Sequence, residues 1–310
     1  MRRTFVGLTL ITLLALVGSC AKAPAPDPLP NGLLLALAVL ESGPDGPVPQ
    51  PAQLGILTNT GTGWEYQTIS DPDSNVFHKA MVYEPRPGEK GILTAGGTQA
   101  ILKLWRGGAE PTTLWQKDFG GKFSRMRDVE VADLFGDGSA ALAVVTHDQG
   151  VVAVVKPTPG GSFEVTELDQ EPNTFVHEVE VGDLNSDGVL EIYTTPSLPN
   201  KLDGTPQPGS VARYVPAAGE GPTVVADLGD RHAKEILAGD VDGDGVDELY
   251  VSVEAVAGGR VEIRRYDADT DPAGGAVIAS LEDKLCRFLT AGDVDGDGVL
   301  EMVAAAHSSG

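Results

Sequence analysis

An acidic loop is spelled three times in this chain, and it constrains the fold more than any other feature. The copies are Asp183-Leu-Asn-Ser-Asp-Gly188, Asp240-Val-Asp-Gly-Asp-Gly245 and Asp293-Val-Asp-Gly-Asp-Gly298, each followed by glutamate at position nine: Glu191, Glu248 and Glu301. Oxygen donors at positions one, three, five and nine, with glycine at six, suit a hard cation. Ca²⁺ takes six to eight oxygens at roughly 2.3–2.6 Å, and a loop that turns sharply at glycine can wrap them around one point. The starting aspartates lie 57 and 53 residues apart, and a fourth, eroded copy, Asp133-Leu-Phe-Gly-Asp-Gly138, starts 50 residues upstream of the first. Self-similarity at about fifty residues predicts an array of structural units.

Short alternating runs enter the loops, as in Val129-Glu-Val131 and Val179-Glu-Val181, and β-like runs beginning at Glu191, Glu248 and Glu301 leave them. Further strand-like runs at 259–266 and 275–280 fill the repeat before the next loop. Four short strands per repeat, separated by Gly, Pro and Asp turns, predict an all-β chain, specifically a β-propeller of four-stranded blades. No window after the N-terminal apolar run has helical periodicity. The frame extends upstream: 78–84 aligns with 177–183, although its turn at 85–91 has lost the ligands, and 33–69 reads as three strands at 33–40, 54–57 and 64–69. The repeats fall near 33–76, 77–125, 126–175, 176–232, 233–285 and 286–310, so five to six blades are expected, the last incomplete. That last repeat supplies strands at 287–292 and 299–305, and 33–40 falls in the same slot as 300–306, so the chain is expected to stop inside a blade of a parent with about seven.

Other loops of this spelling behave differently. An EF-hand needs glutamate at position twelve and flanking helices. Position twelve here is Thr194, Val251 or Ala304, and the flanks read as strands. Dockerin-like modules carry such loops on helices at about half this spacing. An acidic turn without metal is the plain alternative for any single copy, but three copies share the glutamate at nine.

Over roughly 78–306 the repeats resemble the FG-GAP/VCBS family, the seven-bladed propeller repeats of integrin α-chains and many bacterial surface proteins. The resemblance implies about three Ca²⁺ sites, bound by side chains at positions one, three, five and nine and by the carbonyl at seven. Carried over, these are Asp183, Asn185, Asp187, Val189 and Glu191; Asp240, Asp242, Asp244, Val246 and Glu248; and Asp293, Asp295, Asp297, Val299 and Glu301. The family more often has Asp than Glu at nine. In the copy at Asp133, Phe135 and Ala141 replace two ligands, so that loop is expected to be empty. Clustered carboxylates repel when unfilled, so the expected role of calcium is structural.

Six residues before each loop start, or its aligned position, stands a basic or imidazole side chain: His78, Arg127, His177, Lys234 and Arg287. In propellers of this kind that strand is innermost, which would gather the five around the axis at the end opposite the calcium loops. One reading is a cationic rim for an anionic ligand such as an acidic glycan or a carboxylate side chain. The other is that each pairs with acids such as Asp128, Glu178 or Glu235 and closes the channel. His147 and His307 are expected to be solvated residues at strand ends. No Gly-x-Ser-x-Gly elbow, His-Glu-x-x-His or phosphate-binding glycine loop occurs.

Arg2, Arg3, an apolar run over 5–17 and Gly18-Ser19 read as an export signal over 1–19. The run ending in Cys20 resembles the bacterial lipobox, in which the cysteine is lipidated; a plain signal peptide with a chance cysteine is the alternative. By resemblance to enteric lipoproteins, Ala21 in place of aspartate implies the outer membrane in a two-membrane cell. Residues 20–32, rich in proline, form a tether, and 33–310 the folded domain. The net charge of −23 argues against nucleic acid as a partner. Cys286 is expected to be an unpaired, buried residue. The expected function is an exported, lipid-anchored binding or adhesion module for a protein or glycan ligand, with membrane contact through its lipid. The alternatives are a propeller enzyme with an axial active site, lyase-like or quinone-dependent dehydrogenase-like, and a structural scaffold of an envelope assembly.

Overall fold

The computed structural model describes residues 32–44, 46–107, 110–121, 124–199, 205–256 and 258–307. The export signal, Cys20 and the tether up to residue 31 lie outside the described residues. No helix among the described residues is long and apolar enough to cross a membrane.

The chain is all-β, folded into small antiparallel sheets of two to four strands. The first sheet holds β1 (Gly32–Leu37), β4 (Ala52–Asn59) and β5 (Trp64–Asp71), with a separate hairpin of β2 (Leu40–Gly43) and β3 (Gly46–Pro49) inserted between β1 and β4. Four-stranded meanders follow. They are β6 (Phe77–Tyr83) to β9 (Thr112–Lys117) by way of β7 (Gly91–Gly96) and β8 (Ala100–Trp105), and β10 (Met126–Ala132) to β13 (Phe163–Gln170) by way of β11 (Ala141–Thr146) and β12 (Val151–Pro157). The next runs through β14 (Phe175–Gly182), β15 (Glu191–Ser197), β16 (Ser210–Val215) and β17 (Glu220–Asp227), and its successor through β18 (Ala233–Gly239), β19 (Glu248–Val253), β20 (Val261–Tyr266) and β21 (Ala276–Leu281). A two-stranded sheet of β22 (Cys286–Gly292) and β23 (Glu301–Ala306) ends the series.

Burial follows strand position. In the inner sheets the second strands lie between neighbouring sheets and are packed on both faces, so β11 is buried throughout and is apolar up to its closing threonine, Ala-Leu-Ala-Val-Val-Thr. Fourth strands such as β21 are almost wholly exposed. Five core clusters fill the gaps between successive sheets: Leu54 with Phe77, Leu102 with Val144, Val154 with Ile192, Tyr193 with Leu249, and Tyr250 with Leu289. Each fully buried Val, Leu or Ile contributes about 1.5–3 kcal/mol. The first strands touch in chain order, β6 to β10 to β14 to β18 to β22, which brings them together along one edge of the stack.

Two local expectations are corrected. The single strand expected at 33–40 breaks after Leu37, because Gly43, Gly46, Pro47 and Pro49 build a tight hairpin starting at Leu40. His147 is not a solvated turn residue: its ring packs on Phe175 at 4.2 Å and edge-on to His177 at 4.6 Å between centroids. His307 is exposed at the end of β23, and Cys286 is a free, buried cysteine.

Candidate metal and anion sites

Each acidic loop joins the first and second strand of a sheet in one register. The residue before the loop pairs across the ladder with position nine: Gly182 with Glu191, Gly239 with Glu248, Gly292 with Glu301. In the eroded copy the same pair is Ala132 with Ala141. The missing carboxylate therefore coincides with the missing glycine opposite it.

The loop backbone is built by its own carboxylates. Asp240 Oδ1 accepts from the amides of Gly243 and Asp244 at 2.7 and 3.0 Å, and Oδ2 from Gly245 at 3.0 Å. Position one does the same at Asp133, Asp183 and Asp293. Position five accepts the amide of position seven, as in Asp244 to Val246 at 2.9 Å and Asp297 to Val299 at 2.8 Å. Two left-handed residues make the turn, at positions four and six: Gly243 and Gly245 have φ of 78° and 92°, while the first loop has Ser186 at 54° before Gly188 at 82°. Glycine carries this conformation without steric penalty. The requirement at position four was not read from the sequence, although Gly recurs there in three of the four copies.

The loops differ in how far they converge. Asp240, Asp242, Asp244 and Glu248 each bring one oxygen within 4.8 Å of the others, as do Asp293, Asp295 and Asp297. Both groups could hold a metal ion, and an all-oxygen donor set would suit a hard one. Glu301 stands apart from the second group, its Oε2 accepting the Val294 amide at 2.8 Å. The acids of the first loop do not form such a group. Asn185 turns its amide nitrogen toward Asp187 and Glu191, at 3.1 and 3.4 Å, so that ligation would require the opposite amide orientation. Val189, Val246 and Val299 lie in the turns as expected, the last two exposed.

Basic side chains from the third strands reach into these loops, which sequence reading missed. Arg213 and Arg265 lie opposite Tyr193 and Tyr250 in the ladder. Arg265 reaches Asp242 Oδ2 at 2.6 Å and Glu248 Oε1 at 3.2 Å, and Arg213 reaches Glu191 Oε1 at 3.0 Å. Tyr250 donates to Glu248 at 2.9 Å, and Tyr193 likewise to Glu191. The recurring Glu-x-Tyr was the available signal for the tyrosines. In the eroded loop Lys156 stands 2.6 Å from Asp137 Oδ2 and 4.1 Å from the Phe135 ring. The turns of adjacent sheets are also joined, since the Asp183 amide donates to Asp247 Oδ2 at 2.8 Å.

At the other end of the first strands lie the five basic positions. Each falls at a register shift of its β-ladder: His78, Arg127, His177, Lys234 and Arg287 are extra residues with no cross-strand partner. A bulge re-aims a side chain, so the same device recurs in five consecutive sheets. The expected pairing with Asp128 is not made by Arg127: Asp128 instead binds Lys79 at 2.9 Å, and Lys79 also binds Glu130 at 2.6 Å. Burial alone would lower the Lys79 pKa, but Asp128 and Glu130 outweigh it and raise it.

Burial dominates the electrostatics here. It lowers His78 and His232 to about 4 and, aided by His147 and Lys234, holds His177 well below the ordinary imidazole range. Burial and then Arg287 lower Lys234 to about 8. Burial raises Glu254 to about 8 and Glu235 to about 7, and lifts Glu178 well above the carboxylate range. Both oxygens of Glu254 and both ring nitrogens of His177 are buried without a hydrogen-bond partner. The chain matches no protein-family model and shows no significant similarity to a curated protein.

Proposed function

We propose that this chain is a calcium-stabilised β-propeller of FG-GAP/VCBS type, exported, lipid-anchored through Cys20, and acting as a binding module for a protein or glycan ligand. The observation that carries this reading is the convergence of Asp240, Asp242, Asp244 and Glu248 on one point, in a turn whose register recurs from sheet to sheet. Stacked four-stranded meanders with their first strands in mutual contact support the propeller arrangement, those strands being its axial wall. Calcium would hold the turns on one rim and leave the ring of bulged side chains as the ligand-facing end. Binding of the purified protein to a glycan array, with calcium and with chelator, tests it: retention of specific glycans only with calcium supports the module, and no retention in either state argues against it.

The gathering of Lys234, Glu235 and Glu254 at that end favours a second reading, an axial active site, because perturbed ionisable groups cluster where proton transfer is needed. Turnover of a retained glycan, lost in Glu254→Gln, would distinguish it from simple binding.

A further inference from the structure

Arg127, His177, Lys234 and Arg287 occupy the same bulged position on four successive first strands. None of the three cations makes an ion pair among the described residues, while the neighbouring Lys79 and Arg125 are each committed to acids, Lys79 to Asp128 and Glu130, and Arg125 to Asp148. Arg127 Nε and both nitrogens of His177 are buried with their hydrogen-bonding capacity unused, and His177 and Lys234 are only 4% and 2% exposed. The four strands touch in order, and the side chains lie close enough for Arg127 and Lys234 to act on His177 and for Arg287 and Arg127 to act on Lys234. Uncompensated buried charge is costly, and four such donors on four adjacent strands define what would relieve it.

We propose that these four side chains form a binding site for a single oxyanion group, a carboxylate, sulfate or phosphate, with Arg127, Lys234 and Arg287 supplying charge and His177 donating a hydrogen bond from its buried ring. This deepens the binding-module reading and rests on it: the oxyanion is the group by which the ligand is anchored at the axial end. His78 is excluded from the cradle, because its Nδ1 is committed to the Met126 carbonyl at 2.7 Å. The other ionisable groups around the four include His78, His147, His232, Arg125, Asp128, Asp148, Glu178, Glu235 and Glu254. Burial raises the last three above the carboxylate range, which lessens their repulsion of an anion, and an incoming anion favours protonated His177 and Lys234. Binding therefore takes up protons from solvent and weakens as pH rises past 8.

Calorimetric titration of the calcium-saturated protein with sodium sulfate, phosphate and acetate, each in two buffers of different ionisation enthalpy, tests the site. The expected result is saturable one-to-one binding of at least one anion, with proton uptake, weakened about tenfold in Lys234→Met and in the half-buried Arg287→Gln, the latter covering the case in which the former does not fold. Lys117→Gln, a surface cation paired with Glu167 on another strand, should leave affinity unchanged. Absence of saturable binding by all three anions, or equal weakening in Lys117→Gln, overturns the proposal. Sulfate competition on the glycan array separates the two readings: retention that sulfate cannot displace sinks the oxyanion site and leaves the module standing, while sulfate binding without glycan retention does the reverse.

Discussion

Arg265 Nη1 stands 2.6 Å from Asp242 Oδ2, so the third strand of the β18–β21 sheet places a guanidinium against the acidic turn between its first two strands. That guanidinium offsets repulsion among Asp240, Asp242, Asp244 and Glu248 and competes with any metal they bind. Arg265→Gln should therefore raise calcium affinity and lower the melting temperature in chelator, because it removes the competing charge. Calcium titration and melting of the variant check both signs; an unchanged affinity would show that the arginine and the metal do not share the site.

Turn geometry gives a second expectation. Gly245 sits at φ of 92° with open space where a Cβ would project, so Gly245→Ala costs backbone strain alone, about 1–2 kcal/mol. Ser186→Gly, at φ of 54°, should stabilise the first loop by a smaller amount. Chemical denaturation of the two variants should give opposite shifts in midpoint, and shifts of the same sign would contradict the turn assignment.

The buried ionisable groups set a pH profile. His78 and His232, lowered to about 4, are protonated more readily in the unfolded chain, so stability rises with pH from about 4 to 6.5. Glu180 and Glu254, raised to about 8, and Glu235, raised to about 7, hold their protons better in the folded chain. Their contribution is complete below about 4.5 and is lost as pH rises through 7 and 8. The two sets oppose each other up to 6.5, and above it the acids prevail, so stability falls between pH 6.5 and 8 by about 1 kcal/mol per pH unit for each group still titrating. Glu254→Gln should flatten that fall in calcium-saturated protein, and a wild-type melting temperature that is level across the window would show the acids to be solvated.

The acidic loops and the strands around them were legible because a fifty-residue repeat multiplies weak local signals: Glu248 to Val253 reads as a strand partly because Glu191 and Glu301 begin similar runs. The β2–β3 hairpin was not, since Pro47 and Pro49 speak against a ladder and only pairing across Gly43 and Gly46 permits it. Arg213 and Arg265 were invisible as site residues, being 30 and 25 positions beyond the loop starts and brought back only by the meander register. The five bulged positions were seen as a basic periodicity, but burial was not: strand alternation says which face a residue takes, and a bulge suspends that rule.

If the acidic turns grip a divalent ion, the stability of the whole fold depends on that ion. Thermal unfolding of the whole folded chain, followed by circular dichroism across a calcium titration and in excess EDTA, tests it most directly. The melting temperature should climb with free calcium as ligand linkage requires, by about 2.7 kcal/mol of stability per site at a hundredfold excess over Kd, and collapse on chelation. Identical melting curves in calcium and in EDTA would contradict it.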